Sequence, residues 1–444
     1  DLNNDGIMDL AIGAPGWAHA NDSEVRHGQV QVFLGNESGV SSTAWATVSG
    51  AENESLGSAV EVLHHTGAGD YLAVTALNYS MDTGSSEPDG GKVNLYSSNE
   101  TGLSLLRNLT QTKQGDLFGR SLEGCDINND GFDELIVGNT GSFEDALSYS
   151  SIEYFYGSST GYNGTPDHTL ASLIQGKLFG LVVACVGDLN GDGYDEHIIT
   201  EPLNTSSAFG TGVLWLFEGT SGALPGDADW KFEPTTPNTR VGEAVVAAGD
   251  INEDGYDDVY ISSRMGSSSG RIEIFLGSET GLSTDRQLLA EGNSSERLGM
   301  RMAADGDVDG DGLSDLAYSL RSSTRGDAYG LDYLLLSERD WESINFNQQG
   351  TVNGLDLGTA KRGETSLVFT HADALRHHVS KIEHMNDGTP SRQWVDQTLV
   401  SLNTTHLGVT FDVRSSGQPV LLVENRTSMV LHSTSSMTAL EQDV

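Results

Sequence analysis

Five stretches of the chain concentrate oxygen donors at a fixed spacing: DLNNDGIMD from Asp1, DINNDGFDE from Asp126, DLNGDGYDE from Asp188, DINEDGYDD from Asp250 and DVDGDGLSD from Asp307. Carboxylates or amides stand at positions one, three and five, and a glycine at position six, in every copy. An all-oxygen donor set suits a hard cation, and Ca2+ takes about six to eight such ligands around a tight turn that glycine permits. Mg2+ fits less well, because it keeps several of its own waters and is seldom held in an all-protein cage.

The EF-hand loop opens in the same way but requires a bidentate Glu at position twelve and a helix after it. Position twelve here is Ile12, Val137, Ile199, Ile261 or Tyr318, each inside a strand-like run. Position nine is acidic throughout, as Asp9, Glu134, Glu196, Asp258 and Asp315. Position eight ranges from Met8 and Ser314 to Asp133, Asp195 and Asp257. The ligand set therefore closes at position nine. The first set is the side chains of Asp1, Asn3, Asp5 and Asp9 with the carbonyl of Ile7, and the second is Asp126, Asn128, Asp130 and Glu134 with Phe132. The third is Asp188, Asn190, Asp192 and Glu196 with Tyr194, and the fourth Asp250, Asn252, Asp254 and Asp258 with Tyr256. The fifth is Asp307, Asp309, Asp311 and Asp315 with Leu313. A single Asp/Asn/Gly-rich segment is explained equally well by a metal-free turn. Five copies, each crowding at least three carboxylates, call for counter-ions. About five Ca2+ sites are expected, and they would bring the formal charge only from -41 to -31, so most of the acidity belongs to a solvated surface.

The loops mark a repeat. Asp126 to Asp188 and Asp188 to Asp250 are each 62 residues, Asp250 to Asp307 is 57, and Asp1 to Asp126 is 125, about two periods. A unit without an acidic loop is therefore expected between the first two copies, and LGSAVEVLHHTGAGDYLAVTAL at 56–77 has the right flanks, with HHTGAGD in place of the loop. Short apolar runs bounded by glycine precede each loop (LFGRSLEGC, LFGLVVACVG, RVGEAVVAAG) and follow it (LAIGAPG, LIVGNTG, HIITEP), which is how strands read. Alternating segments such as RIEIFLGSETGL supply further strands, and no 3.6-residue periodicity is present. The fold class expected is all-β: a β-propeller of four-stranded blades.

LFG before the loop, D-x-[ND]-x-D-G-x-x-[DE] within it and LAIGAP after it resemble FG-GAP repeats, the blades of integrin alpha-subunit propellers and of many secreted microbial proteins. The resemblance covers residues 1–345, as six recognisable units of which the first lacks its inner strand, and implies about seven blades. It implies structural Ca2+ on one face and a partner on the opposite face or rim. Glu134 and Glu196 depart from the usual Asp, and the unit near residue 67 is expected to lack metal. Residues 346–444 lose the acidic loop and read as two further blade-like units, either closing the same ring or starting a second propeller. The change of pattern favours the second module.

Composition narrows the partners. The charge of -41 argues against nucleic acid and anionic membrane surfaces, and no run of 18 apolar residues offers a membrane span. No signal peptide opens the chain, and Asp1 already stands at a ligand position, so the chain reads as a fragment. N-x-S/T triplets begin at Asn21, Asn36, Asn53, Asn78, Asn99, Asn108, Asn163, Asn204, Asn293, Asn403 and Asn425, more than chance supplies, and give an extracellular or cell-surface reading. Cys125 and Cys185 are expected as two separate buried thiols, with a disulfide between neighbouring blades as the alternative. His64, His65, His377 and His378 are expected as solvated surface residues, and RGD at Arg325–Asp327 carries little weight as a lone tripeptide.

No HExxH, G-x-S-x-G or P-loop is present. The favoured function is a non-catalytic, calcium-stabilised adhesion or protein-recognition module, with a protein or glycan partner on the propeller face or rim. The alternative is a carbohydrate-binding or ancillary propeller of a larger secreted enzyme, of polysaccharide lyase or phospholipase type. Trp215, Trp230 and Trp394 are the candidate sugar platforms, though Trp215 and Trp394 fit packing roles as well.

Overall fold

The computed structural model describes residues 1–7, 9–18, 25–36, 39–66, 70–77, 90–99, 102–110, 117–140, 150–172, 177–204, 210–222, 226–265, 269–284, 286–292, 296–306 and 313–322, and beyond these the strands up to residue 443, with side chains as far as 319. Every regular element among them is a strand, and no helix is long and apolar enough to cross a membrane. Asp307, Asp309 and Asp311, the RGD tripeptide, Trp394 and the sequons at Asn21, Asn78, Asn293, Asn403 and Asn425 lie outside the described residues.

Strands join their chain neighbours in antiparallel meanders. The second sheet runs Leu56–Leu63, Tyr71–Ala76, Lys92–Asn99 and Gly102–Thr110, and the third Phe118–Cys125, Glu134–Asn139, Ser151–Phe155 and His168–Ala171. The fourth comprises Val183–Gly187, Glu196–Glu201, Val213–Phe217 and Trp230–Phe232, and the fifth Val241–Gly249, Asp258–Met265, Ser269–Phe275 and Arg286–Glu291. The sixth is Glu296–Gly306, Asp315–Ser322, Ala328–Ser337 and Asp340–Phe346. The first sheet has three strands, Leu10–Ala14, Gln29–Phe33 and Ala46–Ser49, and no described strand pairs with the open edge of Leu10–Ala14. Residues 351–400 and 409–443 form two more antiparallel sheets. Each is strand-turn-strand, and these are the blades of a β-propeller.

Sheets pack face to face, which explains why the second strands read as continuous apolar runs. Glu134–Asn139 and Glu196–Glu201 are buried at every residue because a neighbouring sheet covers each face. Fourth strands such as His168–Ala171 alternate between half-buried and exposed, as outer strands should. One core layer joins Leu63, Leu95, Phe118, Leu135 and Phe155 between the second and third sheets, and another joins Leu189, Leu214, Val241, Ile261 and Phe275 between the fourth and fifth. Burying one such side chain contributes about 1.5–3 kcal/mol. First strands of successive sheets are neighbours, and Val409–Val413 lies beside both Thr351–Ala360 and Leu10–Ala14.

The glycines that follow Phe118 and Val241 at the start of their blades have a steric cause. Gly242 has φ +86°, and a Cβ there would sit 2.7 Å from Cβ of Thr200 in the preceding sheet. Gly119 meets Thr75 in the same manner. A side chain at either position would separate two blades.

Two expectations are corrected. Cys125 and Cys185 form a disulfide between the first strands of the third and fourth sheets, with Cα atoms 5.6 Å apart. Their proximity is a property of blade stacking, which spacing along the chain does not contain. His65 is buried at 4% exposure rather than solvated, packed on Tyr71 and Phe132, with Nε2 2.9 Å from the carbonyl of Ser158.

Candidate metal centres

The loops that begin at Asp126, Asp188 and Asp250 join the first and second strands of their sheets, and the Asp1 loop leads into Leu10–Ala14. Within a loop the backbone is folded by its own ligand side chains. Asp188 accepts the N–H groups of Gly191 and Asp192 on Oδ1, at 2.7 and 3.0 Å, and that of Gly193 on Oδ2, at 2.8 Å. Asn190 Oδ1 accepts the Asp192 N–H at 2.8 Å, and Asp192 Oδ1 accepts that of Tyr194 at 3.1 Å. Apart from the Gly191 bond, loops at Asp1 and Asp250 repeat this pattern at positions one, three and five. The Asp126 loop keeps the bonds of Asp126 and Asp130 but turns the Asn128 amide the other way, its Nδ2 donating to Glu134 at 2.9 Å. Glycine at position six has φ between +83° and +94° in these four loops, the left-handed turn that brings positions one and five together.

Position nine opens the second strand at Glu134, Glu196, Asp258 and Asp315 and directly precedes Leu10–Ala14 at Asp9, and the structure gives it a further task. Glu134, Glu196 and Asp258 have 0% exposure. One oxygen of each accepts the N–H of position two, from Ile127 at 3.1 Å, Leu189 at 2.8 Å and Ile251 at 3.2 Å. The other oxygen reaches the end of the third strand, accepting Gly219 N–H in the case of Glu196 at 3.3 Å and Gly277 N–H in the case of Asp258 at 2.9 Å. Asp9 does the same with Gly35 at 2.9 Å. A single carboxylate thus ties loop, second strand and third strand together.

The electrostatics of this arrangement favour a cation. Burial, reinforced by Asp130 and Asp126, pushes Glu134 up to about 9, and burial with Asp192 and Asp188 pushes Glu196 up to about 8. Asp258 is raised to about 7 by the same two causes, and Asp9 is raised by burial. The Asn128 Oδ1 is buried with no protein partner among the described residues, on the side chain expected as a ligand. Oxygen-only donors, carboxylates kept from ionising chiefly by burial and an orphaned amide oxygen all fit a hard divalent cation. Such an ion, when bound, would supply the positive charge that lets these carboxylates ionise while buried.

The structure brings together Asp1, Asn3, Asp5 and Asp9, and the corresponding residues of the Asp126, Asp188 and Asp250 loops. In the fifth loop Leu313 and Asp315 are described, and Asp315 is fully buried at the start of its strand like the other position-nine residues. Sequence reasoning missed two features. Position eight was set aside because it varies, yet Asp133 and Asp257 hydrogen-bond to the preceding unit. Asp70 was passed over because its unit lacks the loop, yet it accepts the His65 N–H at 3.1 Å, as position nine does elsewhere. Its place directly before the strand YLAVTA was the available signal.

The FG-GAP repeat family model matches residues 1–33, 118–161 and 182–217. Integrin alpha-PS5 of Drosophila melanogaster is 31% identical over 156 residues, 32% of this chain and 15% of the relative. Integrin alpha-4 of Xenopus laevis is 32% identical over 152 residues, 32% of this chain and 14% of the relative. The chain therefore spans about a seventh of the length of these relatives in the matched region. Among solved structures, a Bacteroides fragilis NCTC 9343 protein provisionally assigned as a 6-phosphogluconolactonase superposes with a TM-score of 0.52 at 14% identity, covering 89% of this chain and 97% of that one. At that identity the likeness concerns the fold alone.

Proposed function

Starting from a chain built of FG-GAP repeats and similar in sequence to integrin alpha subunits, we propose that it is an extracellular, calcium-stabilised propeller that recognises a protein partner and performs no catalysis. The observation that carries this reading is the common hydrogen-bond pattern of the described loops at positions one and five, around oxygen-only donors. About five Ca2+ ions would rigidify one end of the blades, leaving the other end and the rim to present variable loops to a partner. The Cys125–Cys185 disulfide supports an oxidising compartment. Trp215 and Trp230 pack against the cores of their blades, which weighs against their use as sugar platforms in the ancillary-propeller alternative. The position of Val409–Val413 beside both Thr351–Ala360 and Leu10–Ala14 supports the single-ring account of residues 346–444.

The surface reading includes N-linked glycans, and burial sorts the sequons. Asn53, Asn108 and Asn163 are exposed, whereas Asn204 is buried with Nδ2 donating to Glu201 at 2.6 Å. Glycopeptide mapping of secreted protein should find sugar on the first three and none on Asn204.

The recognition reading is tested by screening the Ca2+-loaded chain in parallel against a glycan array and a panel of cell-surface ectodomains. Saturable binding to an ectodomain without a glycan ligand is the expected result. A glycan ligand with no ectodomain would transfer support to the alternative.

A further inference from the structure

Position eight reaches outward where position nine reaches inward. The carboxylate of Asp257 accepts the N–H of Asp188 at 3.0 Å, and the Asp257 N–H donates to the Asp188 carbonyl at 3.1 Å. Asp133 grips His64 of the preceding unit in the same two-bond fashion, at 2.6 and 3.1 Å. In each case the residue gripped is the first of the preceding turn. Asp188 is also the residue whose two carboxylate oxygens gather the N–H groups of Gly191, Asp192 and Gly193. The residue that organises one ion loop is thus anchored by an aspartate from the next.

Parallel bonds run along the same seam. The Thr220 N–H donates to the Ile127 carbonyl at 2.8 Å and the Ser278 N–H to the Leu189 carbonyl at 3.0 Å, each from a third-strand turn to position two of the unit before. Asn129 Nδ2 donates to the Gly193 carbonyl at 2.8 Å, from one ion loop to the next. The series ends at the fifth loop, where position eight is Ser314, whose hydroxyl lies 3.8 Å from a Cβ placed on Gly249.

We propose that Asp257 is a positioning residue that couples the fourth loop to the third, so that an ion in one of these loops strengthens ion binding in the other. This rests on the reading of the loops as cation sites. Asp257 reaches the third loop through the backbone of Asp188 and adds no donor to that ligand set. Coupling of this kind is reciprocal and commonly worth about five-fold or more in affinity.

Tb3+ is the probe, because tyrosines at position seven sensitise its emission in only two loops, through Tyr194 in the third and Tyr256 in the fourth. Ile7, Phe132 and Leu313 occupy that position elsewhere. Emission lost on Tyr256→Phe defines the fourth-loop signal and emission lost on Tyr194→Phe the third. Asp257→Ser, which copies the natural Ser314, should weaken Tb3+ about ten-fold in the third loop and by a similar factor in the fourth. The reverse variant, Ser314→Asp, should tighten the fourth loop and guards against reading misfolding as lost coupling. Unchanged affinity in either loop of Asp257→Ser, or no gain in Ser314→Asp, overturns the coupling. Wild-type protein that binds neither Tb3+ nor Ca2+ overturns the cation reading itself, a distinguishable result.

Discussion

The Asp188–Glu196 loop and the His64–Asp70 turn make the same connection, from the first to the second strand of a blade, with different charges. Both place a buried carboxylate at the start of the second strand and use it to accept the N–H of position two, Leu189 at 2.8 Å in one and His65 at 3.1 Å in the other. The loop surrounds that carboxylate with Asp188, Asn190 and Asp192, the set proposed above to hold a cation. In the turn, His64 Nδ1 lies 3.1 Å from Asp70 and Thr66 replaces a ligand. The difference separates two roles that the repeat motif merges. The carboxylate clamp belongs to the blade, and the proposed ion would be one way of supplying the charge opposite it.

The largest test of that separation is removal of the ions. Each site occupied at a hundred times its Kd contributes about 2.7 kcal/mol, so chelation with EDTA should lower the Tm far more than any single substitution below. An unchanged melt, with no Ca2+ by elemental analysis, would refute the cation reading. Next come the two clamps. Asp70→Ala should cost about 1–3 kcal/mol by stranding a buried N–H while leaving the ion count unchanged, whereas Asp192→Ala should remove one ion and leave the rest. Equal ion loss from both variants would erase the distinction.

A smaller effect is read from pH. In ion-free protein Glu134 and Glu196 hold protons up to about 9 and about 8, against an ordinary value of 4.5 in the unfolded chain. Their contribution is therefore fully present below pH 4.5 and is lost as pH rises through 8 to 9. Chelated protein should melt higher at pH 5 than at pH 9, and saturating Ca2+ should reverse the order; the same order with and without Ca2+ would contradict the model. The smallest change is expected from His64→Ala. Its side chain is 70% exposed, so loss of its pair with Asp70 should cost less than about 1 kcal/mol by chemical denaturation.

Much of this was legible in the chain because repetition multiplies weak signals. Apolar position twelve, from Ile12 to Tyr318, excluded the EF-hand, and acidic position nine located the clamp before its bonds were seen. Strand order followed from the flanks, since a four-stranded meander needs only local pairing. What escaped lies between units. Asp257 reaching Asp188, Cys125 meeting Cys185 and His65 sheltered by Phe132 and Ser158 are contacts made by stacking one blade on another. One sequence contains both partners of each contact and nothing that pairs them. Variation at position eight, with Met8 and Ser314 beside Asp133, Asp195 and Asp257, hid a role that only the preceding unit reveals.

The Cys125–Cys185 bond has one consequence for handling the protein. It closes a covalent circuit through the rest of the third blade and into the fourth, with a sequence separation of 60 residues. A protease that nicks the backbone anywhere inside that circuit leaves both fragments attached. Nicked protein should therefore migrate as a single species on a denaturing gel until a reductant divides it in two.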